Sequence, residues 1–132
     1  MLRFLLPCLC LASAALALSL PLWRLTMGGA DFGFGTDQVA EWSLTGLGDV
    51  IIMLDEEGRD WLARQTAAHV GEVAALELCG REVLAPVIHA PIDSGILVLQ
   101  GRGEPFTEAV GALLEGRATC ADLDPEEIRL AR

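Results

Sequence analysis

The chain has 132 residues, one domain's length, and its 52% hydrophobic against 21% charged content is that of a folded core rather than a disordered segment. The formal net charge is −10, and all nine cations are arginine, an absence of lysine that genome composition is enough to explain. An acidic surface without a basic cluster repels polyphosphate, so nucleic acid is excluded as the expected partner.

Met1 to Leu22 holds a single charge, Arg3, ahead of an uncharged apolar run from Phe4 to Leu22. A basic start, an apolar centre over Leu5 to Leu16 and the small residues of Ala15-Leu16-Ala17 predict a secretory signal peptide cut near Ala17. The alternatives are a retained anchor, since the run is just long enough to span a bilayer, and a buried helix. Neither Cys8 nor Cys10 stands in the small-residue context of a lipoprotein cleavage site.

Residues 23–48 are punctuated by Gly28, Gly29, Gly33, Gly35, Gly46 and Gly48, which predicts a flexible leader, with a short edge strand over Gln38 to Thr45. The glycines do not make a phosphate loop, because no strand precedes them and no Lys-Ser or Lys-Thr pair follows. A folded domain is expected over 49–118 and a tail over 119–132. Asp49 to Leu54 is a run of apolar β-formers, the pattern of a central strand covered on both faces. Asp55-Glu56-Glu57 then starts a helix that runs to Val70 and ends at Gly71. Its expected inward face is Gly58, Trp61, Leu62, Gln65, Thr66, His69 and Val70.

Val73 to Leu78 reads as a strand, and Leu78 to Gly101 as a three-stranded antiparallel meander with reversals at Cys79-Gly80 and Asp93-Ser94-Gly95. Pro86 and Pro91 lack the amide a ladder needs, so the middle member should be an edge strand, bent or bulged at Pro86. A second helix is predicted from Phe106 to Gly116, with Thr107 as N-cap and Ala109, Val110, Leu113 and Leu114 as its apolar stripe. Asp124-Pro125-Glu126-Glu127 would start a short end helix, docked by Ile128 and Leu130. The fold class expected is α+β, an antiparallel or mixed sheet of about four strands with two helices on one face.

No nucleophile has an activating context, and the acidic triplet at Asp55 fits a helix cap better than a cation site. His69 and His89, the only histidines, lack ligand spacing, so no catalytic residue, metal site or cofactor is expected. Removing the first segment leaves Cys79 and Cys120, an even pair that suggests one disulfide in an oxidising compartment. Two unpaired thiols are the alternative, since spacing does not show that their Cα atoms approach.

Gly58 to Gly101 carries a resemblance. Gly58, Leu62, Thr66, Val70-Gly71, Ala75, Leu78, Gly80, Leu84-Ala85-Pro86-Val87-Ile88, Pro91-Ile92, Gly95 and Gly101 follow without a gap the pattern GxxxFxxxT, VGKxLAIVLDGKVLSAPVI, Pro-Ile, Gly-rich turn and ISG. That pattern is similar to the periplasmic head subdomain of the protein translocase subunit SecD, and Phe106 to Ala109 and Leu113 to Gly116 resemble its following helix. Leu62 replaces the family's aromatic and Cys79 the aspartate of its turn. The resemblance implies a SecD head-like fold in the periplasm or secreted, with contact to secreted or envelope polypeptide. It implies no proton-driven translocation, because this chain has at most one membrane segment, and the membrane is met only if that segment stays uncleaved. A structural envelope protein is the alternative, followed by a secreted enzyme using loop carboxylates such as Asp55, Glu56 and Asp93.

Overall fold

The computed structural model describes residues 21–101 and 103–124; the expected signal peptide or anchor, apart from its last two residues, and the end helix beyond Asp124 lie outside them. Strands β1 (Trp23–Met27) and β2 (Ala30–Phe34) form a hairpin turned by Gly28-Gly29. Both turn glycines have positive φ, +54° and +82°, the conformation a two-residue hairpin loop requires. The flexible leader expected over 23–48 is therefore largely strand. Trp23, Leu25 and Met27 are buried and alternate with half-exposed Arg24 and Thr26, a period of two that the surrounding glycines obscured. β3 (Val39–Leu44) follows as the edge strand expected there.

β4 (Val50–Leu54) leads into α1 (Glu56–Ala68), whose N-cap Asp55 accepts a 2.9 Å hydrogen bond from the Gly58 amide. The expected inward face holds at Gly58, Leu62 and Thr66, while Trp61, Gln65 and His69 are half-buried and Val70 is exposed. Val70 lies past the helix, whose C-cap is His69. A Cβ on Gly58 would lie 2.9 Å from the Leu54 Cβ, so glycine lets the first turn sit close on β4.

β5 (Ala75–Leu78) and β6 (Arg81–Leu84) form the Cys79-Gly80 hairpin. β7 (Ile96–Leu99) precedes α2 (Glu104–Leu114). The N-cap of α2 is Gly103, not Thr107; Pro105 occupies its first turn, and the Thr107 hydroxyl donates to Glu104 O at 2.9 Å. Ala109, Val110, Leu113 and Leu114 are buried as the stripe requires.

The architecture is α+β with two antiparallel sheets, β2-β1-β5-β6 and β3-β4-β7, instead of one sheet of about four strands. The meander is corrected accordingly: β5 and β6 pair as expected, but the third run crosses over and pairs with β4, Ile52 opposite Leu97. Two continuous apolar runs, Val50–Leu54 and Ile96–Leu99, thus find each other. β6 is an edge strand, and it ends at Leu84 because Pro86 cannot continue the ladder; only an isolated bridge joins Val87 to Val73.

The inward faces of both sheets and the apolar stripe of α2 form one core. Trp23, fully buried, stacks on Phe34 at 5.9 Å, and Phe32 stacks on Trp61 at 5.1 Å, fastening α1 to β2. Among the described residues the Trp23 Nε1 finds no hydrogen-bond partner, a desolvation cost carried for the area the indole buries. Cys79 and Cys120 are bonded, with Cα atoms 5.5 Å apart. Cys79 is the only non-glycine among the described residues with positive φ, +52°, so the bond anchors the chain at its most constrained turn.

Candidate functional site: an apolar hollow under a proline strap

Between β6 and β7 the chain runs from Ala85 to Asp93 as a strap instead of a strand. Two prolines leave it short of amides, and it is tied down at scattered points. Pro86 O accepts from the Ala74 amide at 2.9 Å, Ile88 N donates to Glu72 O at 2.8 Å, and Ile88 O accepts from the Gly71 amide at 2.7 Å. Further on, the Ile92 amide donates to Thr66 Oγ1 at 2.8 Å, while that hydroxyl donates to Leu62 O at 2.7 Å. Ile88 is buried as the strap's plug, whereas Pro86, Val87, His89 and Ala90 are exposed.

Under the strap lies a hollow of about 270 Å³. Leu25, Met27 and Leu76 form its floor, Leu62 and Thr66 its α1 wall, and Leu97 its far side. Thr66 spends its hydroxyl on Leu62 and Ile92, which leaves exposed His89 on the strap as the polar side chain of an otherwise apolar lining. A site of this kind does not hold ordered water well and favours an apolar guest.

The sequence-selected residues fall around this hollow in a definite way. Ala85, Pro86, Ile88, Pro91 and Ile92 make the strap, and Thr66 is the buried post that holds its far end. Gly71 lies where the strap's Ile88 carbonyl is received, and Gly80 follows Cys79 in the β5–β6 turn. Gly95 and Gly101 bracket β7, with the Gly101 amide donating to Asp49 Oδ1 at 2.8 Å. Floor residues Leu25 and Met27 were missed, since they belong to the stretch taken as leader; the alternation Trp23-Arg24-Leu25-Thr26-Met27 before Gly-Gly was the available signal.

The loop carboxylates do not converge on the hollow. Asp55 is occupied as a cap, Glu56 is exposed beside it, and Asp93 is exposed with its carbonyl accepting from Arg59 Nε at 3.0 Å. His69 pairs with Glu72, and its ring lies against Gly28, where a Cβ would come within 2.1 Å of it. Among the described residues no group of three or more His, Cys, Asp or Glu is placed to hold a metal. The Asp122 carboxyl is held below the usual range by the Thr119 amide, then by the Thr119 hydroxyl.

No family model matches the chain. No curated protein matches it either. One solved structure is similar. It is a chain of SecDF, described as a membrane component that enhances protein export, with 26% identity and a TM-score of 0.49. The similarity covers 60% of this chain and 37% of the SecDF chain, so most of SecDF has no counterpart here. A likeness of that extent is similarity alone and transfers no activity. Among the described residues no helix is long and apolar enough to cross a membrane.

Proposed function

We propose that the protein is an exported, non-catalytic module that holds apolar stretches of secreted or envelope polypeptide in the hollow under the strap, without itself driving translocation. The observation that carries this is the hollow: apolar on nearly every wall and roofed by Pro86, Val87 and Ile88, the residues that also carry the sequence resemblance to the SecD head. A strap tied at scattered points suits an extended segment, with side chains supplying most of the affinity. Burying one Leu or Phe is worth about 1.5–3 kcal/mol, so one or two inserted side chains, less the ordering cost, support weak and reversible binding. That suits a module that must release its chain.

Fluorescence anisotropy with labelled peptides tests the proposal, using the protein as recovered from its host. A Leu/Phe-containing peptide should bind and a Ser/Gln counterpart should not, and Ala90→Glu at the exposed lip should weaken binding at least tenfold. Equal binding of both peptides, or no effect of Ala90→Glu, would refute it. Absence of binding by a folded protein would favour a purely structural envelope role.

A further inference from the structure

Sheet edges expose unpaired backbone groups, and proteins blunt them with charge, proline, bulges or cover. Among the described residues the two sheets have four edges, and three of them are blunted. β2 carries Asp31 and is covered by α1 through Phe32 and Trp61. β6 carries Arg81 and Glu82 and stops before Pro86. β3 has a register shift between Val39 and Glu41 and bears that glutamate. β7, Ile96-Leu97-Val98-Leu99, has no charge, no proline and no bulge.

The phase of its ladder follows from the Leu54 amide, which donates to Gly95 O at 2.9 Å. Residues 95, 97 and 99 therefore face β4 with their backbone groups, and Ile96 and Val98 carry theirs outward. The Ile96 amide is meanwhile turned onto Ser94 Oγ at 3.3 Å. The side chains of these same two residues form an exposed outer face, 36% and 39% accessible, continuous with half-buried Met53 and Ile51 on β4.

We propose that β7 is a self-association edge, pairing antiparallel with β7 of a second copy about a two-fold axis to join the two three-stranded sheets. Charge selects this occupant. With Leu97 opposite its own copy, Ile96 of each chain lies opposite Val98 of the other, and both exchange the outward backbone groups. Ser94 then faces Gln100 and Asp93 faces Gly101, so no like charges oppose one another; a parallel pairing would set Asp93 against Asp93. In a chain of net charge −10 a second copy is met with least repulsion where neither strand carries charge, as on this strip, whose pairing also exposes an unblunted edge to its own copy. A four-residue strand pair is far smaller than a standard interface, so the dimer is weak and concentration-dependent, and salt strengthens it by screening.

Sedimentation velocity over a concentration series, at low and high salt, tests this with the protein as recovered from its host. A dimer that grows with salt, is lost in Val98→Lys and persists in Val87→Lys is the expected result. A monomer throughout, or a dimer insensitive to Val98→Lys, overturns the proposal. Co-expressed Ile96→Cys and Val98→Cys chains provide a second readout that does not depend on the lysine variant. Oxidation should link the two different chains in higher yield than either chain to itself, and equal yields or no product would overturn the register.

Discussion

The two sheets solve the same burial problem differently. The three-stranded sheet closes most of its inner face: Val50, Ile52, Leu54 and Leu99 are buried, Leu97 alone of β7 reaches the hollow, and Gly111 of α2 passes so near β3 that a Cβ would lie 3.1 Å from Leu44 Cδ1. The four-stranded sheet is closed at its β1–β2 end by aromatic stacking and left hollow at its β6 end, where a strap stands in for a packed element. A region filled to ordinary density makes scaffold, and one roofed by a segment that cannot zip into a ladder retains room for a guest.

The largest effect expected on this contrast comes from the closed end of the four-stranded sheet. Trp23→Ala should cost about 3–5 kcal/mol in urea unfolding, since it removes the indole on which Phe34 stacks. Next comes the disulfide, which spans a sequence separation of 41. Its loss in a Cys79→Ala, Cys120→Ala double variant should cost about 4 kcal/mol by the loop-entropy estimate, read as a lowered urea midpoint. Little or no loss would mean that the tail is held by its other contacts.

The sharpest comparison adds methyl groups to each region. Ala74 lines the hollow, so Ala74→Val should be neutral or stabilise by up to about 1 kcal/mol while weakening peptide binding. Val50→Ile, in the filled sheet, should destabilise by about 1–3 kcal/mol. Equal losses at both positions in thermal unfolding would erase the distinction between hollow and filled. Asp55→Ala should cost about 1 kcal/mol through the lost cap of α1.

Much of this was legible in the sequence where local chemistry decides the outcome. Asp55 capping, the β4 run, the α2 stripe and the Cys79-Gly80 reversal each depend on neighbours in the chain. The misses arose where partners are distant. Ile96–Leu99 has no local mark saying whether it pairs with β6 or β4, although its likeness to Val50–Leu54, both continuous and uncharged, favoured the latter. Within 23–48 the density of glycines, which predicts a leader, masks the alternation of Trp23, Leu25, Met27, Phe32 and Phe34 that makes the hairpin. Of the candidate site, the strap was visible through its prolines; the floor was not, because it comes from that misread hairpin.

The smallest expected effect is acid sensitivity at the tail. The Asp122 carboxyl titrates below its unfolded value because Thr119 donates to it, so its contribution is present above the unfolded value and is lost as pH falls through the lowered folded one. Protection of the amides in the 3-10 turn Cys120–Asp122, relative to their intrinsic exchange rates, should fall in that acid window, and Asp122→Asn should abolish the change.

The most direct measurement is an amide NMR titration of the folded, disulfide-bonded protein with a Leu/Phe-containing peptide. The account predicts shifts concentrated at Leu25, Met27, Ala74 and along Val87 to Ile92, with α2 unmoved. Shifts centred on α2 and β3, or none at concentrations where the peptide binds, would contradict it.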